Sequence, residues 1–334
     1  MTEADLAGLG VHRIAIPIPF AAAGGPVNVY AVEARGGGLV LFDAGLGSDE
    51  AQAALAAGLA RLGRRLDEVE RIVVSHGHVD HFGAARFVQE RAGRDLPVHV
   101  HAADAPKVLE GGRGFAVERP AYAAHLARLG VPAEVEAAVA RSAGRTFALA
   151  RRLAEVAPLA EGDVIEGRAV RLEVLHLPGH TPGLVALHEP RRRLLLPADH
   201  LLERISPNPL IELDPDGVQR FRPLRAYLAS LARTRALAVD LVLPGHGAPF
   251  AGHAAVIDGL LGFYGKRQAR LAALLAGGPR TAWELCAALF PAAHPSDAFL
   301  TVSETVANLE VLEDRGEVAR ADEDGRWRFR LARG

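Results

Sequence analysis

The chain has a single cysteine, Cys286, so no intramolecular disulfide can form. That usage fits a reducing compartment, and a cytoplasmic location is expected. Cys286 lies in "WELCAALF", on an apolar helical face, and reads as a core residue. No run of about 18 uncharged apolar residues occurs, so no membrane span is expected. The acidic opening "MTEADL" lacks the positive stretch that starts a signal peptide. An excess of one charge is missing too. The formal net charge is −2, which gives no global attraction to nucleic acid or anionic lipid. Lysine is reduced to Lys107 and Lys266 while arginine and alanine abound, a bias of genome composition. There is no internal repeat and no low-complexity linker.

What is present is an alternation of short strands and helices. "HRIAIPI", "VNVYAVEA" and "GLVLFDAG" read as strands separated by Gly/Pro turns. "DEAQAALAAGLARLG" reads as an amphipathic helix with Ser48 or Asp49 placed to cap it. A buried strand "RIVVS", a helix near 84–92 and the strand "PVHVHA" follow. Residues 102–160 are alanine-rich and helical in pattern and read as an insertion. Strands resume with "AVRLEVLHLPG", "GLVALHE" and "RRLLLPAD", then a helix near 217–235 and the strand "DLVLPG". After residue 252 a long helix, two shorter helices and a hairpin turning at Asp324-Gly325 give a winged-helix-like pattern. The domains expected are 1–255 and 256–334.

The chemistry collects in loops after strands, where α/β folds gather their sites. "VVSHGHVDHFG" carries His76, His78, Asp80 and His81. In an extended loop the first three project to one side. Imidazole and carboxylate suit zinc, iron or manganese. Four donors can serve two neighbouring ions but cannot complete both coordination shells. "LPGHTPG", "LPADH" and "LPGHG" supply His180, Asp199 and His246, each ending a hydrophobic strand, and "FDAG" repeats the pattern with Asp43. "AGLGSDE" lacks the third glycine of a dinucleotide loop, so a turn and helix cap explain it. His200 is read as a structural or substrate-contacting residue.

In their order, "FDAG", "SHGHVDH", "PGHTPG", "PADH" and "PGHG" resemble the motifs of the metallo-β-lactamase superfamily over residues 10–255. The resemblance implies an α/β fold, an αβ/βα sandwich of two mixed β-sheets with the metals at one edge. It implies His76, His78 and His180 on one metal, Asp80, His81 and His246 on a second, and Asp199 bridging. Asp43 would support the ligand loop from behind. The cofactor implied is two divalent transition-metal ions, zinc first, with iron or manganese accepted by the same donors. Such a pair makes hydroxide available near neutral pH, and Asp80 is the candidate to relay a proton. "GPVNVY" and "DHLLERISPNP" are similar to one branch of the family. The C-terminal segment resembles the winged helix carried by ribonuclease-like and thioesterase-like members. Where the family often has glycine before the bridging aspartate, this chain has Ala198.

The reading expected is a metal-dependent hydrolase of a thioester or small acyl ester, similar to hydroxyacylglutathione hydrolase. A phosphodiesterase or endoribonuclease, and a lactonase, are the enzymatic alternatives. A nucleic-acid-binding regulator is the non-enzymatic one. From residue 266 onward ten basic and ten acidic residues cancel, and the presumed recognition helix "SETVANLEVLEDR" holds four acids and one arginine. DNA binding needs a basic face, so a structural role against the catalytic domain or a second subunit is expected. The arginines of "GRWRFRLAR" keep RNA contact open. A small-molecule substrate is the expected partner.

Overall fold

The computed structural model describes residues 3–20 and 24–332. A short helix α1 (Glu3–Gly8) leads into β1 (Val11–Ile16), β2 (Val27–Glu33) and β3 (Leu39–Phe42). With β4 (Val69–Val73), β5 (Val98–His101) and β6 (Ala157–Leu159) they form a six-stranded sheet in the order β1 to β6. The first three strands pair antiparallel and the rest parallel. The second sheet joins β7 (Val164–Glu166), β8 (Arg171–His176), β9 (Val185–Glu189), β10 (Leu194–Ala198) and β11 (Leu241–Pro244), and is mixed as well.

The two-residue period of the strands explains the layering. Val29, Ala31, Leu39 and Leu41 face α2 (Asp49–Arg61) and α4 (Ala85–Ala92), together with Leu55, Leu59 and Val88. The alternate residues Tyr30, Val32, Val40 and Phe42 meet Leu172, Val174, Leu187 and Leu196 of the second sheet. Behind that sheet, Ala186, Leu195 and Val242 pack on α8 (Pro223–Arg235) and α9 (His253–Leu275). Helix, sheet, sheet and helix therefore stack as an αβ/βα sandwich. Ser48 caps α2, its side chain accepting from the Ala51 N–H at 3.3 Å.

Three expectations are corrected. The insertion was expected to stay helical over 102–160, but its helices α5 (Ala105–Glu110), α6 (Gly112–Arg128) and α7 (Ala133–Phe147) end at Phe147. Residues 157–159 instead add β6 to the edge of the first sheet, where Pro158 is tolerated because an edge strand can lack an N–H. The helix expected near 217–235 starts only at Pro223, a residue suited to a first turn. The extended reading of the histidine loop fails at Val79, where a helical turn, α3 (Val79–Phe82), begins.

After α9 come β12 (Arg280–Thr281), α10 (Ala282–Leu289), α11 (Ala298–Asp314), β13 (Val318–Glu323) and β14 (Arg326–Leu331). The three strands form a small antiparallel sheet, and Asp324 and Gly325 turn the hairpin with φ of 53° and 77°. No linker precedes this unit. Ile257, Leu260 and Tyr264 of α9 pack behind the second sheet, and its Leu271 and Leu275 pack with α10 and α11. Twelve of the seventeen residues of α11 are buried.

One of them, Glu310, accepts from Gln219 at 2.9 Å and lies 3.1 Å from Arg222. Burial outweighs the arginine and pushes its carboxyl up to about 7. The folded chain then holds a proton that the unfolded chain has released between pH 4.5 and 7, so stability falls as pH rises through that window. Glu310→Gln should remove up to about 3 kcal/mol of that fall. Denaturant unfolding at about pH 4.5 and pH 8 measures it, and an unchanged pH dependence would count against the assignment.

Candidate metal centre

Each site residue follows a strand. β3 ends in Asp43, β4 leads into residues 74–81, β8 into His180, β10 into Asp199 and β11 into His246. The strand ends lie at one edge of the sandwich, and three overlapping groups of donor atoms form there. They are His76, His78 and His180; His76, His81 and Asp199; and Asp80, His81 and His246, each within 4.8 Å. Asp199 stands between them. Its Oδ1 is 3.5 Å from His81 Nε2, and its Oδ2 is 3.6 Å from His180 Nε2 and 3.4 Å from His246 Nε2. The helical turn at Val79 makes Asp80 and His81 neighbours at the site, a placement that an extended strand would not give.

Ring orientation is set from behind. His81 Nδ1 donates to Asp43 at 2.8 Å. Asp43 also accepts from the Ser75 N–H at 2.7 Å and the Ser75 hydroxyl at 2.8 Å. Ser75 Oγ in turn accepts from His76 Nδ1 at 2.9 Å, and His180 Nδ1 donates to the Asn208 carbonyl at 2.9 Å. These bonds leave the Nε2 atoms of His76, His81 and His180 facing inward, the tautomer a metal needs. On the other sheet's side, Asn28 Nδ2 donates to the Pro244 and Gly247 carbonyls, both at 2.9 Å, and Tyr30 donates to Pro244 at 2.8 Å. The "VNVY" strand thus clamps the His246 loop.

The residues fit a cation. His81 Nε2, His180 Nε2 and Asp199 Oδ1 are buried without a hydrogen-bond partner among the described residues. An unsatisfied buried polar atom costs about 1–3 kcal/mol, and two ring nitrogens beside a carboxylate oxygen find a common partner in a metal ion. Gly245 belongs to the same cradle, since a Cβ there would come within 2.3 Å of Asp199 Oδ1.

Charge agrees. Burial, reinforced by neighbouring imidazoles, holds His76 and His78 well below the usual histidine range. Neutral rings are the ligating form. Burial opposes charge on His81 and His246 too, but the carboxylates of Asp199, Asp43 and Asp80 outweigh it and raise His81, and Asp199 and Asp80 push His246 up to about 10. Those imidazoles in turn overcome burial and hold Asp80 at about 2 and Asp199 well below the carboxylate range. Protons on His81 and His246 thus supply, in the metal-free chain, the positive charge that the two carboxylates require.

Several residues were not singled out from the sequence. Asp104, fully buried, accepts from the Gly77 N–H at 2.8 Å, the Thr181 hydroxyl at 2.6 Å and the Gly183 N–H at 3.0 Å. It ties the His76–His78 segment to the His180 loop. Gly183 must be glycine, because a Cβ would lie 2.7 Å from Asp104 Cγ. Asn208 Nδ2 donates to Leu300 at 3.0 Å, so the carbonyl that orients His180 is itself anchored on α11. His200 is structural: its Nε2 bonds Thr234 at 2.8 Å and it is fully buried. Ala198 carries a φ of 48°, a left-handed conformation that suits glycine better than alanine.

Comparison with known proteins agrees with this geometry. Residues 22–246 match the sequence profile described as the Metallo-beta-lactamase superfamily. The probable metallo-hydrolase YqjP of Bacillus subtilis is 33% identical over 305 residues, 91% of this chain and 92% of that one. A metallo-beta-lactamase family protein from Thermus thermophilus superposes with a TM-score of 0.82 at 30% identity, over 96% of this chain and 98% of that one. A beta-lactamase domain protein from Burkholderia ambifaria gives a TM-score of 0.77 at 26% identity, over 97% and 93%.

Proposed function

The chain belongs to the metallo-β-lactamase superfamily and is a metal-dependent hydrolase, and from that premise we propose that it cleaves a thioester or small acyl ester with two metal ions. His76, His78 and His180 would hold one ion, and Asp80, His81 and His246 the other, with Asp199 shared. When bound, divalent metals of this kind supply Lewis acidity, lowering the pKa of water toward about 7 and polarising a substrate oxygen. Zinc, iron and manganese all suit these donors, with zinc proposed first.

The chain's own residues do the rest. Asp43 and Ser75 fix the His81 and His76 rings. Asp80 lines the cavity over the site and stays ionised, so its carboxylate can take a proton and pass it to a leaving group. The observation that carries the reading is the convergence of seven donors, with unpartnered buried atoms, five of the seven lining a cavity of about 1160 Å³.

Charge favours an acyl substrate over a phosphodiester. Besides Asp80 and Asp199, the cavity is lined by five carboxylates and only three of Lys and Arg, and one of these, Lys107, is already paired with Glu212. A polyanion such as RNA calls for the opposite balance. The C-terminal unit supports a structural role for its winged-helix-like arrangement, because a recognition helix as buried as α11 has no face left for a groove. On its hairpin the Trp327 ring is occupied by the guanidinium groups of Arg128 and Arg320 at 4.2 and 4.6 Å, while most of the hairpin's other residues stay exposed. No described helix is long and apolar enough to cross a membrane.

A panel of acyl thioesters, lactones, phosphodiesters and short RNAs, assayed with the metal-loaded chain, tests the reading. Thioester turnover should exceed phosphodiester turnover by at least about 100-fold, a difference of roughly 3 kcal/mol in transition-state binding. RNA cleavage without thioester cleavage would overturn it.

A further inference from the structure

The cavity has a shape and lining that the metal chemistry does not require. His78, Asp80, His180, Asp199 and His246 form one part of its wall, and most of the remainder is built by the insertion, the segment after Asp199 and the start of α11, with Pro19 and Phe20 also lining it. On α7, Val139, Ala143 and Phe147 recur every four residues and line the cavity; Phe147 also packs against the core beside the first sheet, but none of the fifteen residues of this helix is buried. An amphipathic helix normally turns such a stripe into a core. Here Leu202, Ile205, Leu210 and Ile211 of the segment after Asp199, with Phe299 and Leu300 of α11, continue an apolar stretch of the wall, and the charged Glu110, Arg113, Glu118, Arg119 and Glu136 line other parts of the same cavity. Val117 of α6 also lines the cavity and is 75% exposed, an apolar side chain in contact with solvent. The segment from residue 201 to 222 has no regular secondary structure, and a loop of that length inside a compact domain is commonly functional. It is held rigidly: Tyr264 donates to Pro207 at 3.0 Å, and Ser303 accepts from the Ile211 N–H at 3.2 Å.

We propose that this cavity takes an extended, uncharged hydrocarbon chain, so that the substrate is a medium- or long-chain acyl thioester or ester. The inference rests on the acyl-hydrolase reading for the reacting group, and on the cavity alone for the chain. Water adds across the C–S bond: a C–O bond forms, the C–S bond breaks, the sulfur leaves with a proton, and a fatty acid and a thiol result. The volume exceeds the roughly 300–1,000 Å³ of ordinary small-molecule sites, and transfer of each methylene from water to an apolar wall favours binding about fourfold.

The test uses N-acetylcysteamine thioesters with acyl chains of four, eight and twelve carbons and the metal-loaded full chain, with calorimetric binding of dodecanoate and butanoate in parallel. Between four and twelve carbons kcat/KM should rise at least about 100-fold, and dodecanoate should bind at least tenfold more tightly than butanoate. Val139→Asp, which places a charge in the wall, and Ala143→Trp, which fills it, should each cut the twelve-to-four-carbon ratio at least tenfold. Because α7 contributes no buried residue, both variants should fold, and circular dichroism checks this. A flat or falling chain-length profile, or equal binding of the two acids, overturns the proposal. If no thioester is cleaved while dodecanoate binds preferentially and Val139→Asp abolishes the preference, chain binding stands and the acyl-hydrolase reading falls.

Discussion

Asp199→Ala should carry less than one metal ion per chain and lose at least about 10³-fold in turnover, roughly 4 kcal/mol of transition-state stabilisation. The size follows from position. The two Asp199 oxygens lie 3.4–3.6 Å from the rings of His81, His180 and His246, so one side chain serves both donor groups. Its loss opens both coordination shells at once. It also removes the counter-charge that keeps His81 protonated in the metal-free chain. Metal analysis and turnover are measured together, with circular dichroism to show that the fold persists. A variant that keeps two ions and wild-type turnover would remove Asp199 from the shared position.

Asp104→Ala should destabilise the chain by about 3–5 kcal/mol and weaken metal binding by about 10–100-fold. The residue touches none of the donor rings. It acts through backbone, accepting the N–H groups of Gly77 and Gly183 and the hydroxyl of Thr181 within a closed environment. Alanine leaves all three donors buried and unpaired, at about 1–3 kcal/mol each before relaxation. It also frees the segment carrying His76 and His78 from the loop carrying His180. Asp104→Asn should be intermediate, since the amide oxygen still accepts while the amide NH₂ meets a donor. Denaturant unfolding of the metal-free protein separates the stability effect from the metal effect. A loss under about 1 kcal/mol for the alanine variant would show that water or backbone movement satisfies these groups.

These two residues mark the limit of what the chain discloses in one dimension. The donors were legible because imidazole and carboxylate stand immediately after hydrophobic strands, and strand ends gather at one edge of such a fold. Asp104 was not, because "ADAP" has the form of a helix cap ahead of Pro106, and its three partners lie 27, 77 and 79 residues away. Asn208 orients His180 through its main-chain carbonyl, a role that no residue type announces. Tyr30 and Asn28 lay inside a motif whose resemblance was evident but whose purpose, holding the His246 loop across the two sheets, needs the sheets to be seen together. β6 escaped because three residues centred on Pro158 carry no strand pattern. Its pairing with β5 is a tertiary effect. The helical pattern of α7 was visible in the sequence, but only the structure shows that Val139 and Ala143 face a cavity.

The most direct test of the account is the metal content of the wild-type chain. The protein is stripped with chelator, exposed in turn to zinc, iron(II) and manganese, dialysed against metal-free buffer and analysed by elemental mass spectrometry with parallel protein quantification. Two tightly held ions per chain with at least one of these metals is the expected result, accompanied by proton release as His81 and His246 give up their protons. A chain that retains no ion with any of the three metals would contradict the account.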